Sequence, residues 1–314
     1  MTPDARIFVA GHRGMVGGAL VRGLRARGHQ TLLLRTRAEL DLLDAAAVNR
    51  FFEETRPEYV FLAAAKVGGI LANREQPATF LAENLAIALH VIQAARASGV
   101  TKLLNLGSSC IYPRLAPQPL REDALLTGAL EPTNEAYAVA KIAAIKLCDA
   151  CRRQYGSNFV SIMPTNLYGP GDNYDRHTSH MLPALIRKCD DAYRSGARTV
   201  TLWGTGTPRR EMLHVDDLAD ASLFVMDHYD EAGFLNVGTG EDLSILELAR
   251  LVAEVVGFTG DFDFDRSKPD GTPRKLLDVS RLAALGWRAR IGLREGIADA
   301  YGWYQRHRGD GVHA

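Results

Sequence analysis

The chain has 314 residues, enough for one large domain or two closely joined ones. Its 46% hydrophobic and 24% charged residues are the ordinary balance of a globular protein, and a formal net charge of zero gives no bulk attraction for a polyanion such as a nucleic acid. Four cysteines, Cys110, Cys148, Cys151 and Cys189, are too few for a disulfide scaffold.

The N-terminus runs into a strand without an apolar signal-peptide core, and no run reads as long enough to span a membrane. The expectation is a cytoplasmic enzyme. Arg6 to Ala10 is the first apolar strand, followed by a glycine-rich turn and a helix that Gly28 closes. Thr31 to Leu34 predicts a second strand, residues 44 to 55 a helix, and Tyr59 to Ala63 a third strand. Pro77 to Ala97 is a long amphipathic helix, and Lys102 to Leu106 a strand that ends at Gly107-Ser-Ser-Cys110. A polar, proline-containing loop over 113–134 leads to the helix of Tyr137, and Ser161 to Met163 is one further strand. Strands alternating with helices predict an α/β fold, a Rossmann-type doubly wound parallel sheet with right-handed crossovers.

After Pro164 the composition changes. Residues 164–180 are rich in Gly, Pro, Asn, Asp and His and read as a loop. A helix over 181–195, a strand over 199–203, a turn-rich connection over 204–210, a helix opening at His214, a strand over 235–238 and a helix capped by Ser244 with Glu247 follow. The predicted division is an NADP-binding domain over 1–165, on which part of 212–238 packs, and a smaller α/β substrate domain over 166–314.

Gly11, Gly14 and Gly17 stand between the first strand and a helix, with His12, Arg13, Met15 and Val16 between them. Glycines there allow a tight turn and close backbone approach, and the helix N-terminus faces a pyrophosphate. The spacing fits the dinucleotide fingerprint only loosely. An NAD binder places a carboxylate near the end of the second strand for the ribose 2′-hydroxyl. The sequence there reads Leu34-Arg-Thr-Arg37, so Arg13 and Arg37 are assigned to a 2′-phosphate, and NADPH is the predicted cofactor. Asp41 and Leu42 are assigned to the adenine edge.

Tyr137 and Lys141 are four residues apart on one helix face. The cation is expected to lower the tyrosine pKa, which suits a proton donor to a carbonyl oxygen. Taken alone, the pair equally describes a half-buried tyrosine beside a solvated lysine. Ser108 ends a strand at the carboxyl edge of the sheet, where its hydroxyl can reach the same oxygen, or simply close a turn. Cys148 and Cys151 lie inside the Tyr137 helix with no second ligand pair nearby, so they are assigned to helix packing rather than to a metal.

With Gly11-x-x-Gly-x-x-Gly17, Ser108 and Tyr137-x-x-x-Lys141, the chain resembles the extended short-chain dehydrogenase/reductases. Seven stretches, read in full, narrow the resemblance: Gly11-His-Arg-Gly-Met-Val-Gly17, Ala63-Ala-Ala-Lys-Val-Gly-Gly69, Gly107-Ser-Ser-Cys-Ile-Tyr-Pro113, Glu131-Pro-Thr-Asn134, Met163-Pro-Thr-Asn-Leu-Tyr-Gly169, Leu213-His-Val-Asp-Asp217 and Lys268-Pro-Asp-Gly-Thr-Pro-Arg274. They are similar to those of the group that acts on GDP-4-keto-6-deoxy-D-mannose as 3,5-epimerases and NADPH-dependent 4-reductases. The likeness runs from about residue 5 to about residue 305.

The resemblance implies a reductase triad of Ser108, Tyr137 and Lys141, and an epimerisation pair of Cys110 and His180. It implies cofactor contacts from Leu106, Gly107, Ser109, Pro164, Thr165, Asn166, Leu167 and His180. It implies GDP-sugar contacts from Lys188, Trp203, Arg210 and Asp270, and a homodimer made by the helices around 80–97 and 137–153. Two positions depart from the pattern. Gly171 stands where some relatives carry histidine, and Lys188 where relatives carry arginine, which keeps the charge but loses the bidentate fork. A reductase-only relative acting on a longer GDP-keto sugar, such as a heptose, and an inactive NADPH-binding sensor are the competing readings. Cys110 and His180 speak against the first, and the retained Tyr137 and Lys141 against the second.

Overall fold

The computed structural model describes residues 1–176, 178–268 and 270–308. Its first half alternates β1 (Ile7–Ala10), α1 (Met15–Ala26), β2 (Leu32–Leu33), α2 (Ala45–Thr55), β3 (Tyr59–Leu62), α3 (Ile70–Glu75), α4 (Pro77–Ala97), β4 (Lys102–Leu106), α5 (Glu135–Tyr155) and β5 (Phe159–Pro164). Next come β6 (Asn166–Tyr168), α6 (Met181–Ser195), β7 (Thr199–Trp203), β8 (Arg209–Arg210), β9 (Met212–His214), α7 (Val215–His228) and β10 (Phe234–Val237). The chain closes with β11 (Leu243–Ser244), α8 (Ile245–Val256), β12 (Asp261–Asp265), β13 (Arg274–Lys275), α9 (Ser280–Ala284) and α10 (Leu293–His307).

Six strands form one parallel sheet in the order β10-β5-β4-β3-β1-β2. Strand alternation divides its side chains between two faces. Ile7 and Val9 join Leu20 and Leu24 of α1 and Leu218 and Leu223 of α7. Phe8 joins Phe51 and Phe52 of α2, Val91 and Ile92 of α4 and Cys148 of α5 on the other face. Each fully buried side chain of this size contributes about 1.5–3 kcal/mol, so covering both faces holds the layers together. The chain leaves β1 toward β2 on one side and returns to β3 on the other. That reversal opens the crevice at the carboxyl ends of β1 and β3, where ligands bind in such sheets.

A second core gathers Leu182, Leu185 and Ile186 of α6, Leu248 and Val252 of α8, and Ile297 and Tyr301 of α10. The parallel pair β7–β12 packs on it. The Ser244–Glu247 capping box opens α8, with each side chain bonded to the other residue's backbone.

Several elements differ from the sequence expectation. The loop read over 164–180 contains β6, which pairs with β9. The connection read over 204–210 ends in β8, which lies between β11 and β13. These strands have only two or three residues, too few to display a period. The second strand is only two residues long. Helix α4 is long and apolar enough, by length and composition, to cross a membrane, contrary to the initial reading. It packs instead on the sheet through Val91, Ile92, Ala94 and Ala95.

Candidate active site

The glycine turn after β1 shapes the first part of the site. A Cβ on Gly17 would stand 2.1 Å from the Gly11 carbonyl oxygen, so only glycine lets the turn close on itself. Gly14 caps α1 without a side chain, and the first turn holds no acidic residue. Backbone N–H groups at a helix start with no competing carboxylate suit a pyrophosphate. Met15 and Val16 pack inward on the core. Arg13, in the glycine turn, and Arg37, four residues past β2, are exposed, and Arg37 Nε lies 3.9 Å from Asp41 Oδ1. Leu42 meets His90 through its carbonyl oxygen. His12 keeps a buried Nδ1 with no partner, and burial followed by the Arg13 charge lowers its pKa.

One expectation here needs correction, because a carboxylate does stand near the end of β2. Glu39 accepts from Thr36 N at 2.7 Å and Thr36 Oγ1 at 2.8 Å. Those two bonds lower its pKa and occupy it in closing the local turn. The residues present therefore fit a cofactor with a 2′-phosphate better than one with a free 2′-hydroxyl.

The carboxyl ends of β4 and β5 carry the second part. Lys141 Nζ donates to the Leu106 carbonyl at 2.9 Å and stands 5.7 Å from the Tyr137 ring centroid. Phe80 of α4 meets the Tyr137 ring edge-on. Beyond Leu106, Gly107 leaves room for Met163, whose sulfur accepts from Ser108 N at 3.0 Å. Ser108 then opens a 3-10 turn of Ser109, Cys110 and Ile111, accepting from Cys110 N at 3.4 Å. That turn places the Cys110 thiol beside Ser108. The expected lowering of the Tyr137 pKa is not found. Burial raises it, with a further rise from Cys110, while burial lowers Lys141 to about 8. Burial of the phenol, with no offsetting pull from Lys141, sets the direction. Burial likewise raises the Cys110 thiol, against the lowering pull of Lys275, Ser108 and Lys141.

The third part comes from the second core. His180 is the N-cap of α6, with part of its ring open to solvent; desolvation of the rest and the Lys275 ammonium lower its pKa. Pro164 ends β5, and Thr165 N donates to Val237 O. Asn166 Nδ2 donates to Glu211 O at 2.8 Å, and Leu167 packs on the core. Arg210 Nη1 is held by Thr272 O at 2.7 Å. Farther out, Trp203 is 64% exposed, with Lys188 Nζ 5.7 Å and Lys268 Nζ 5.6 Å from its ring. Lys188 also donates to Thr201 O, and burial lowers its pKa. Asp270 accepts from Thr205 N and Oγ1, so its carboxylate closes the turn after Trp203.

Sequence reasoning missed Lys275 and Lys268. Lys275 is registered against Arg210 in the β8–β13 pair, and its charge acts on both Cys110 and His180. It directly follows a quoted motif, but a basic residue in a glycine- and proline-rich stretch reads as surface. Lys268 opens that same motif, and only its place over the Trp203 ring singles it out.

The model of the NAD dependent epimerase/dehydratase family matches residues 7–238. GDP-L-fucose synthase 1 of Arabidopsis thaliana is 56% identical over 304 residues, covering 97% of this chain and 94% of the relative. Two solved structures superpose closely. A GDP-6-OMe-4-keto-L-xylo-heptose reductase from C. jejuni has a TM-score of 0.92 at 38% identity, covering 98% of this chain and 99% of that one. A GDP-L-fucose synthetase from Naegleria fowleri bound to NADP has a TM-score of 0.90 at 27% identity, covering 100% of this chain and 98% of that one.

Proposed function

Because the chain belongs to the NAD dependent epimerase/dehydratase family, we propose that it converts GDP-4-keto-6-deoxy-D-mannose to GDP-L-fucose by 3,5-epimerisation and NADPH-dependent reduction at C4. The observation that carries this reading is Cys110. A reductase needs Ser108, Tyr137 and Lys141, and a thiol beside them adds the group that proton transfer at carbon requires.

The C4 ketone acidifies the protons on C3 and C5. Cys110 removes them as the thiolate, and His180 returns protons from the other side of the sugar. Ser108 and Tyr137 hold the negative charge that develops on the C4 oxygen in each enolate, with the Lys141 ammonium behind the phenol. NADPH, when bound, supplies the hydride that reduces C4. Gly11 to Gly17 hold its pyrophosphate and Arg13 and Arg37 its 2′-phosphate. The segment Pro164 to Leu167 lies on the nicotinamide side. Tyr137 gives its proton to the C4 oxygen in that step. Arg210 with Lys275 takes the diphosphate, and Trp203 with Lys188 and Lys268 takes the base.

Residues 1–165 with α7 and β10 form the cofactor half, and the rest of 166–314 the sugar-nucleotide half. Leu89 of α4 and Val139 of α5, 48% and 40% exposed, support a homodimer across these helices. The four free, buried cysteines suit a reducing cytoplasm. A heptose-specific reductase is the weaker reading, since the fucose synthase relative is 56% identical and the heptose reductase 38%. Incubation with GDP-4-keto-6-deoxy-D-mannose and NADPH, with the product sugar identified by NMR, tests the proposal. GDP-L-fucose is the expected product, and an unepimerised C4 alcohol would overturn it.

A further inference from the structure

Glu211 lies between β8 and β9 and is 0% exposed, yet it carries a carboxylate. Burial raises its pKa, while the surrounding donors pull the other way. Buried carboxylates persist where donors surround them. Here Oε1 accepts from Gly240 N at 2.8 Å, and Oε2 from Leu277 N at 2.9 Å. The backbone is used as fully. Glu211 N donates to Lys275 O at 3.3 Å, and Glu211 O accepts from Asn166 Nδ2 at 2.8 Å and Thr165 Oγ1 at 3.4 Å. One residue therefore ties three segments together: the stretch after β5, the turn after β10, and the strand of Lys275. Its chain neighbour is Arg210, registered against Lys275. The fit leaves no slack, since a Cβ on Gly238 would stand 2.1 Å from Glu211 Oε1.

We propose that Glu211 is a positioning residue for the sugar nucleotide: its buried carboxylate fixes β13 against β8, so that Arg210 and Lys275 meet the diphosphate at a set distance from Cys110. This rests on the diphosphate role given to those two cations above. The side chain's two short bonds go to the turn at Gly240 and to the chain just past β13 at Leu277, with weaker contacts from Thr239 and Thr165. Damage to the carboxylate therefore loosens mainly the nucleotide side, where its short bonds lie, and does not touch the glycine turn at Gly11 to Gly17 that holds the cofactor pyrophosphate.

Two variants probe the same carboxylate from opposite sides. Glu211→Gln turns an acceptor toward the Gly240 or Leu277 N–H into a donor. Gly238→Ala keeps the carboxylate and pushes it off its site. Affinities for GDP and for NADPH are measured by calorimetry, with melting temperature recorded separately. Wild-type GDP binding, measured first, judges the functional reading by itself; the ratio of variant to wild type judges Glu211. The expected result is GDP affinity weakened ~10–100-fold, the range for losing a hydrogen bond to a charged group, with NADPH affinity held within about twofold. GDP affinity within about twofold of wild type in both variants, or GDP and NADPH affinities falling together, would overturn the proposal.

Discussion

The Lys141 ammonium is fixed by the Leu106 carbonyl at 2.9 Å and stands 5.7 Å from the centroid of the Tyr137 ring. The lysine thus takes its position from the sheet rather than from the tyrosine. Lys141→Met should therefore leave the Tyr137 ring in place against Phe80 and remove only the charge behind it. Reduction at C4 should fall by at least the ~10²-fold typical of a positioned acid–base group. Single-turnover oxidation of NADPH measures it, and an unchanged rate would remove Lys141 from the mechanism.

The pH dependence of epimerisation follows from the direction of the shifts. Burial raises Cys110, and only the thiolate is a base, so the fraction able to take the C3 and C5 protons climbs about tenfold per pH unit while the thiol is mostly protonated; deuterium uptake should climb less steeply, because His180, whose pKa is lowered, loses over the same range the proton it must return. Lys141, lowered to about 8, loses its charge above that pH, so the climb should bend over there as support for the enolate oxygen fades. Lys275→Met removes the cation that does most to lower Cys110 and should move the climb to higher pH. Exchange that falls between pH 6 and 8 would contradict a thiolate base.

Arg13 and Arg37 are exposed, so each should contribute near or below the low end of the ~1.5–3 kcal/mol of a hydrogen bond to a charged group. Replacing both with alanine should weaken NADPH binding by about tenfold or more and leave NADH binding nearly unchanged. Titration of cofactor fluorescence checks this. Equal losses for the two cofactors would free the arginines of a 2′-phosphate role.

Leu89 and Val139 are exposed on the packed pair α4 and α5. Wild-type protein should sediment at twice 34.3 kDa, and the double change to glutamate should yield monomer, because two buried unpaired charges per protomer outweigh an apolar contact. A wild-type monomer at micromolar concentration would end the dimer assignment.

Much of the site was legible in the sequence because its parts are local. A glycine turn between strand and helix, a four-residue Tyr–Lys spacing and a capping box each complete themselves within a few residues. The pKa of Tyr137 was not legible, since it depends on how deeply α5 buries that face. Lys275 and Glu211 escaped for a related reason. Their partners, Arg210, Cys110, Gly240 and Leu277, lie in other segments, and the strands that carry or flank them are too short to declare themselves. That Thr205, sixty-five positions away in the chain, holds the Asp270 carboxylate is likewise a long-range contact that no local pattern announces.

The division of labour between Cys110 and Tyr137 is tested most directly in deuterium oxide. Wild type, Cys110→Ser and Tyr137→Phe are each incubated with GDP-4-keto-6-deoxy-D-mannose, with and without NADPH, and the sugar is followed by NMR. Cys110→Ser should take up no deuterium at C3 and C5 while still reducing the unepimerised ketone slowly. Tyr137→Phe should keep slow uptake at both carbons and lose reduction by the ~10²–10⁴-fold of a positioned acid. Full deuterium uptake by Cys110→Ser, or normal reduction by Tyr137→Phe, would contradict the account.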